Sequence, residues 1–428
     1  MMAPMQIIYG KAEAIRRFET RSFEVELDTS RRIVEDTLAE VRTRGDAALR
    51  EITLRFDGVE LDTFEVPQDA FDHAERSVKS PLKEAIMVAV DRIRGFYQHQ
   101  SKEGFLYQAD GSLLGVLVRP LDRIGCYVPG GTAPLFSSLL MTAVPAQVAG
   151  VRDIVVATPP RRDGSVAPEI LFAAKVLGLE TVYRVGGAQA VAALAYGTPS
   201  IPRVDKIVGP GNRFVVLAKQ ALFGTVGIES LPGPTETLVL ADATAQVDHV
   251  VADLLAQAEH SGAQPVLVTT SLELIEKVSV ALEPALNSLP TEATARASVE
   301  QRGLSILVET ISEALEVSNA YAPEHLCLLV RDPWSAVSKV QNAGGIFIGE
   351  QSMEALGDYL AGPSHVMPTG GTARFSSFVN LRDFQKVIPL LHVSKELSEH
   401  IGPLAVTMAR AEGLEAHARA IEARLKSV

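Results

Sequence analysis

The chain has 428 residues, 47% hydrophobic and 21% charged, a balance that describes a folded protein of two or three domains and excludes a disordered one. Its 40 basic against 52 acidic side chains leave a net charge of −12 with no long basic run, which argues against nucleic-acid and membrane partners. The two cysteines, Cys126 and Cys327, make neither a disulfide framework nor a CxxC pair, as suits a reducing cytoplasm.

The N-terminal MMAPMQIIYGKAEAIRRFETR lacks the apolar core of a signal peptide and its order of charges. The most apolar stretch, FSSLLMTAVPAQVAGV, is interrupted by Pro145 and Gln147 and falls short of a membrane span. A soluble, cytoplasmic protein is expected. Residues 30–56 and 82–100 read as charged amphipathic helices. From residue 124, short β-branched runs alternate with Ala- and Leu-rich helical segments: IGCYV (124–128), DIVVAT (153–158), TVYRV (181–185), DKIVG (205–209) and TVGIE (225–229). A second series follows in TLVLAD (237–242), PVLVTT (265–270), LSILVE (304–309), HLCLLV (325–330) and GIFIG (345–349). Strands separated by helices imply βαβ units, so the expected fold is α/β, with two mainly parallel, Rossmann-like sheets meeting near residues 229–237. A mostly helical tail is expected from about residue 385.

In open α/β sheets ligands gather where strands lead into helices. Three such turns carry glycines: CYVPGGTAPL (126–135) with Gly130 and Gly131, RVGGAQAVAAL (184–194) with Gly186 and Gly187, and IVGPGNRFV (207–215) with Gly209 and Gly211. Backbone amides at helix starts suit phosphate oxygens, and three in consecutive units suit a dinucleotide. None completes GxGxxG, since GPGNRF ends in Phe214, and ordinary turn chemistry stays open as the other reading.

The second series holds polar clusters: QAEH (257–260), YAPEHL (321–326), the run GDYLAGPSHVMPTGGTARFSS (357–377) and ARAEGLEAHARAIE (409–422). Four of the nine histidines fall in them. On a helical wheel Val247, Val250, Val251, Leu254, Leu255 and Ala258 form one stripe, with Gln257 at its edge and His260 three positions on. Gln257 and His260 therefore read either as helix-end polarity or as half of a metal site completed from elsewhere.

Taken together, VRTRGDAALREITLRFDG (41–58), YVPGGTAPL, VGGAQAVAALAYGT, VDKIVGPGN, GPTET, QAEH, APEHL, GDY…SHVMPT…ARFSS and EGLEAH resemble the histidinol dehydrogenase family over most of the chain. The resemblance implies oxidation of L-histidinol to L-histidine through the aldehyde, the last steps of histidine biosynthesis, with two NAD+ and one zinc per subunit. It implies Gln257, His260, Asp358 and His417 as zinc ligands, Glu324 and His325 as the catalytic pair, and Tyr127, Gln189 and Asn212 as NAD contacts. Thr235, His365 and Glu412 match substrate contacts, joined there by the ligand residues and His325. It further implies a homodimer whose tail, with Glu412 and His417, reaches the partner's active site. The domains then expected are 1–24 packing with the tail, 25–126 with 237–381 as the first α/β domain, 127–236 as the second, and 382–428 as a helical dimerisation tail.

Two positions depart from the family pattern: Thr235 stands where serine is usual, and Ser364 where asparagine is frequent. Both keep the reaction class intact. A thiohemiacetal route through Cys126 is not favoured, since Cys126 falls in an expected strand and no base or cation is apparent to lower the pKa of its thiol. The competing readings are a related dehydrogenase of another small polar alcohol such as a sulfonated diol, a zinc hydrolase using Glu324, and a silent scaffold. Glu412 beside the Glu324–His325 pair favours an amino alcohol over an anionic diol, and a hydrolase leaves the three glycine turns without purpose.

Overall fold

The computed structural model describes residues 4–19, 27–130 and 133–425; Gly131 of the first glycine turn lies outside them. Their strands are β1 (Gln6–Tyr9), β2 (Phe105–Ala109), β3 (Ser112–Pro120), β4 (Arg123–Tyr127), β5 (Asp153–Thr158), β6 (Val182–Arg184), β7 (Lys206–Val208), β8 (Gly227–Ile228), β9 (Glu236–Ala241), β10 (Gln264–Thr269), β11 (Leu304–Leu307), β12 (His325–Leu329), β13 (Gly345–Ile348) and β14 (Gln385–Val393). The chain divides into two compact units, Met1–Gln100 with Asp122–Asp383, and Ser101–Leu121 with Phe384–Val428.

The larger unit is α/β with two parallel sheets, one ordered β1-β11-β10-β9-β12-β13 and the other β6-β5-β4-β7-β8. β9 and β12, at the centre of the first sheet, are buried at every residue, because a parallel sheet is covered by helices on both faces. Val239, Leu267 and Cys327 pack toward one face with Val250 and Leu254, while Leu238, Leu240 and Leu326 pack toward the other with Val317 and Tyr321. Truncating Leu240, which is fully buried, to alanine is expected to cost about 2–5 kcal/mol. The ten β-branched runs expected from the sequence all form strands within a few residues of their predicted limits.

Three features differ from the sequence reading. The helical region 30–56 is two helices, Leu27–Arg44 and Asp46–Asp57, because Gly45 between them has φ +54° and breaks the helical path. The N-terminal segment adds β1, a parallel edge strand on β11, before the helix Lys11–Glu19. The tail begins with β14 before its helices Lys395–Ala411 and Glu415–Leu425. β14 runs antiparallel to β3, which pairs with β2, so the smaller unit has its own three-stranded sheet. No helix among the described residues is long and apolar enough to cross a membrane.

Candidate active site

Residues of three of the four polar clusters assemble, with Thr235, at the amino-terminal edge of the six-stranded sheet. Thr235 directly precedes β9, Glu324 directly precedes β12 and His325 opens it. β9 and β12 are neighbours in register, with His325 opposite Thr237, so the polar side chains leading into both strands share one rim. Gln257 closes the helix Val247–Ala258, which returns the chain to that same edge before β10. The helix Glu354–Tyr359 brings Asp358, and the loop behind it brings His365.

Glu324 is 6% exposed. Its Oε2 accepts hydrogen bonds from the Thr235 hydroxyl at 2.6 Å and the Glu236 backbone N–H at 3.0 Å. Burial pushes the carboxyl up to about 7, against the opposing pull of His325 and the Thr235 hydrogen bond. His325, 2% exposed, places Nδ1 3.0 Å from the Glu236 carbonyl oxygen, which makes Nδ1 the donor and leaves Nε2 as the free ring nitrogen. Among the described residues Nε2 makes no hydrogen bond; it lies 3.6 Å from Asp358 Oδ1, a charge attraction rather than a hydrogen bond. The imidazole also lies along the Phe347 ring at a centroid distance of 5.7 Å. Burial alone would push His325 down; the carboxylates of Glu324, Asp358 and Glu354 outweigh it and drive its proton affinity up.

Gln257 links the two halves of the site. Its Oε1 lies 2.9 Å from the Thr235 hydroxyl, and its Nε2 donates to Asp358 Oδ2 at 3.2 Å. Burial would raise Asp358, but His325, His365 and the Gln257 amide hold it below the usual carboxylate range, so it is ionised. His365 donates from Nδ1 to the Asp358 backbone carbonyl at 2.8 Å, and its Nε2 lies 3.4 Å from the Ser138 hydroxyl. Ser364 is buried and its hydroxyl accepts from the Val366 N–H at 3.1 Å, shaping the loop that carries His365. His260 is exposed at the rim, close enough that its charge bears on His365.

Thr235, Gln257, Glu324, His325, Asp358 and His365 thus form one continuous network, with His260 beside it. Glu412 and His417 belong to the smaller unit, both exposed, one capping the helix Lys395–Ala411 and the other in the first turn of Glu415–Leu425. Among the described residues no three His, Cys, Asp or Glu side chains converge to hold a metal ion. The larger unit supplies one imidazole, one carboxylate and one amide of the expected four ligands.

Sequence reasoning missed several supports. Glu354 is fully buried beneath the site; Thr237 donates to it at 2.7 Å and the Cys327 thiol lies 3.5 Å away. Burial pushes Glu354 up to about 8. Its spacing four residues before Asp358 on one short helix was the available signal. Glu236 acts on His325 through its backbone carbonyl and on Glu324 through its N–H, which no residue identity announces. Cys126 is buried and pushed up to about 12 by burial, in keeping with an inert thiol.

The three glycine turns meet at the carboxyl edge of the five-stranded sheet. Tyr127, Gln189 and Asn212 line one cavity of about 460 Å³ there. The Gly187 N–H donates to the Tyr127 hydroxyl at 3.1 Å, and Asn212 caps its helix by accepting from the N–H groups of Phe214 and Val215. Gly209 has φ +119°, and a Cβ there would lie 2.1 Å from the Tyr127 carbonyl oxygen, so only glycine fits. The turn is held by a buried ion pair: Lys219 Nζ donates to both Glu229 carboxylate oxygens at 2.8 Å and to the Gly209 carbonyl at 3.1 Å, while Glu229 accepts from the Gly209 N–H at 2.8 Å.

A buried carboxyl–imidazole pair at the edge of one sheet and a cavity bordered by helix starts at the edge of the other suit a dehydrogenase. The model of the family described as histidinol dehydrogenase matches residues 20–425. The chain belongs to the histidinol dehydrogenase family. It is 59% identical to the histidinol dehydrogenase of Deinococcus radiodurans over 93% of this chain and 91% of that one. It is 48% identical to the Thermus thermophilus histidinol dehydrogenase over 98% of this chain and 100% of that one. The crystal structure of histidinol dehydrogenase from Elizabethkingia anophelis matches with a TM-score of 0.95 at 36% identity, covering 100% and 99% of the two chains. The family resemblance expected from the motifs is therefore established.

Proposed function

We propose that this protein oxidises L-histidinol to L-histidine through L-histidinal, in two two-electron steps that reduce two NAD+. The observation that carries the reading is the pairing of Glu324 and His325 on one rim of a chain that belongs to this family. The names of its relatives favour the amino alcohol over a sulfonated diol.

His325, with Nδ1–H committed to the Glu236 carbonyl, takes the hydroxyl proton on Nε2 in its neutral form as hydride leaves the carbon; the carboxylates around it raise its proton affinity and make that neutral form a stronger base. Glu324, poised near 7, takes a proton from the water that adds to the aldehyde, and Thr235 orients it. Hydride acceptance at each step belongs to NAD+ bound along Tyr127, Gln189 and Asn212. The balance is one alcohol and one water consumed, two NADH formed, and one carboxylate and three protons released.

The amide, imidazole and carboxylate of Gln257, His260 and Asp358 fit one zinc ion, with His417 as the fourth ligand. Zinc, when bound, supplies a fixed positive charge that orients the substrate and offsets the carboxylates around His325. We place His417 and Glu412 in the pocket of a second copy, making each site of a cytoplasmic homodimer depend on both chains.

The test is NAD reduction by the purified protein with L-histidinol, with and without chelator. Two NADH per histidinol, lost on metal removal and regained with zinc, is the expected result. Turnover with dihydroxypropanesulfonate alone would overturn the substrate; full activity after metal removal would overturn the zinc.

A further inference from the structure

The segment ending the helix Asp46–Asp57 has no part in the chemistry above. Asp57 is its last residue, followed by Gly58 in the left-handed region at φ +70°. Tertiary folding sets it in the wall of the cavity that holds Tyr127, Gln189 and Asn212, about seventy residues or more away in sequence. Its Oδ2 is buried and, among the described residues, accepts no hydrogen bond. A desolvated carboxylate oxygen without a donor is costly unless a ligand provides one. Burial accordingly pushes Asp57 up to about 6, and its charge is felt at the Tyr127 hydroxyl.

The rest of the cavity says which donor fits. On one side lie the starts of two helices, Gly187–Tyr196 and Arg213–Leu222, whose N–H groups favour phosphate oxygens. The lining also includes Phe56, the residue before Asp57, 56% exposed, and Ile33, 38% exposed, apolar surface suited to a purine face. Among the described residues no Lys, Arg or His lines the cavity; Arg213, next to the lining Asn212, lays its guanidinium over the Phe214 ring. A purine next to a carboxylate, with phosphates beyond, places a ribose at the carboxylate. Vicinal hydroxyls donate to a carboxylate; a phosphate in place of one of them is repelled by it.

We infer that Asp57 is a specificity-determining residue for the cofactor, accepting the adenosine ribose hydroxyls of NAD and excluding the 2′-phosphate of NADP. The inference rests on the proposed use of NAD. Turnover is not needed to test it: NADH and NADPH are titrated into the purified full-length protein and followed by nucleotide fluorescence. Wild type is expected to bind NADH and reject NADPH. Asp57→Asn and Asp57→Ser are expected to weaken NADH by about ten- to a hundredfold, the loss of one or two hydrogen bonds to a charged group, while NADPH binding is unchanged or tighter. The preference between the two nucleotides therefore narrows, and the KM for NAD rises while that for L-histidinol does not. Unchanged NADH affinity and unchanged preference in both variants, with thermal unfolding like wild type, would overturn the role of Asp57. Wild-type protein that binds neither nucleotide would instead overturn the NAD reading, and this inference with it.

Discussion

The Thr235 hydroxyl lies 2.6 Å from Glu324 Oε2 and 2.9 Å from Gln257 Oε1. A hydroxyl carries one hydrogen, so it serves one of these acceptors at a time. When Glu324 is ionised the shorter, charge-assisted bond takes the proton; when Glu324 is protonated it donates to Thr235, which turns to Gln257. The base of the second oxidation and the amide of the expected zinc site are coupled through this one oxygen.

Thr235→Val keeps the shape and removes the hydrogen. Its kcat is expected to fall by about ten- to a hundredfold, the worth of a hydrogen bond to a charged group. Thr235→Ser keeps the donor and should stay within about threefold of wild type. Steady-state kinetics of both variants decide; a loss in Thr235→Ser as large as in Thr235→Val, or no loss in Thr235→Val, would show that the hydroxyl is not what matters.

Glu324→Gln removes the carboxylate and retains the hydrogen-bonding shape. Oxidation of the aldehyde should slow by about 10²–10⁴-fold while oxidation of the alcohol, assigned to His325, is less affected. A single turnover should then yield about one NADH per histidinol within the time wild type takes to yield two. Equal slowing of both halves would contradict the division of labour.

If the tail acts across a homodimer, two inactive variants should rescue each other. Mixed and reassembled Glu324→Gln and His417→Ala chains would regain about a quarter of wild-type activity, since half the dimers are mixed and each has one complete site. No recovery, with subunit exchange shown by mass spectrometry, would place His417 in its own chain's site.

Asp253, on the helix Val247–Ala258, is pushed up from 3.8 to about 6, chiefly by burial. The folded state therefore binds its proton more tightly than the unfolded chain does. Its contribution to stability is complete below about pH 4 and is lost as pH rises through about 6. Asp253→Asn should raise Tm by about 2–4 °C at pH 8 and leave it nearly unchanged at pH 4. Calorimetric unfolding at the two pH values checks this, and an equal shift at both would exclude ionisation as its cause.

Much of the molecule was legible in the order of its residues. Strand and helix periodicity marked both parallel sheets, because a strand buried on both faces must be an unbroken apolar run between turns. Family-specific motifs named Gln257, Glu324, His325 and Asp358, and the structure joins these four with Thr235 and His365 in a single network. What the residues could not reveal was distance. β14 looked like the start of a helical tail because its partner strand lies more than 260 residues earlier. Glu354 drew no notice in the sequence, and its proton affinity is raised by burial beneath the site, where Thr237 and Cys327 lie against it. Asp57 read only as part of the motif 41–58, just past an amphipathic helix, and folding sets it in a cavity that Asn212 also lines. Local pattern determines which face of an element is apolar; the desolvation and charge that turn a side chain into a reagent depend on neighbours from remote sequence, and only the tertiary structure supplies those.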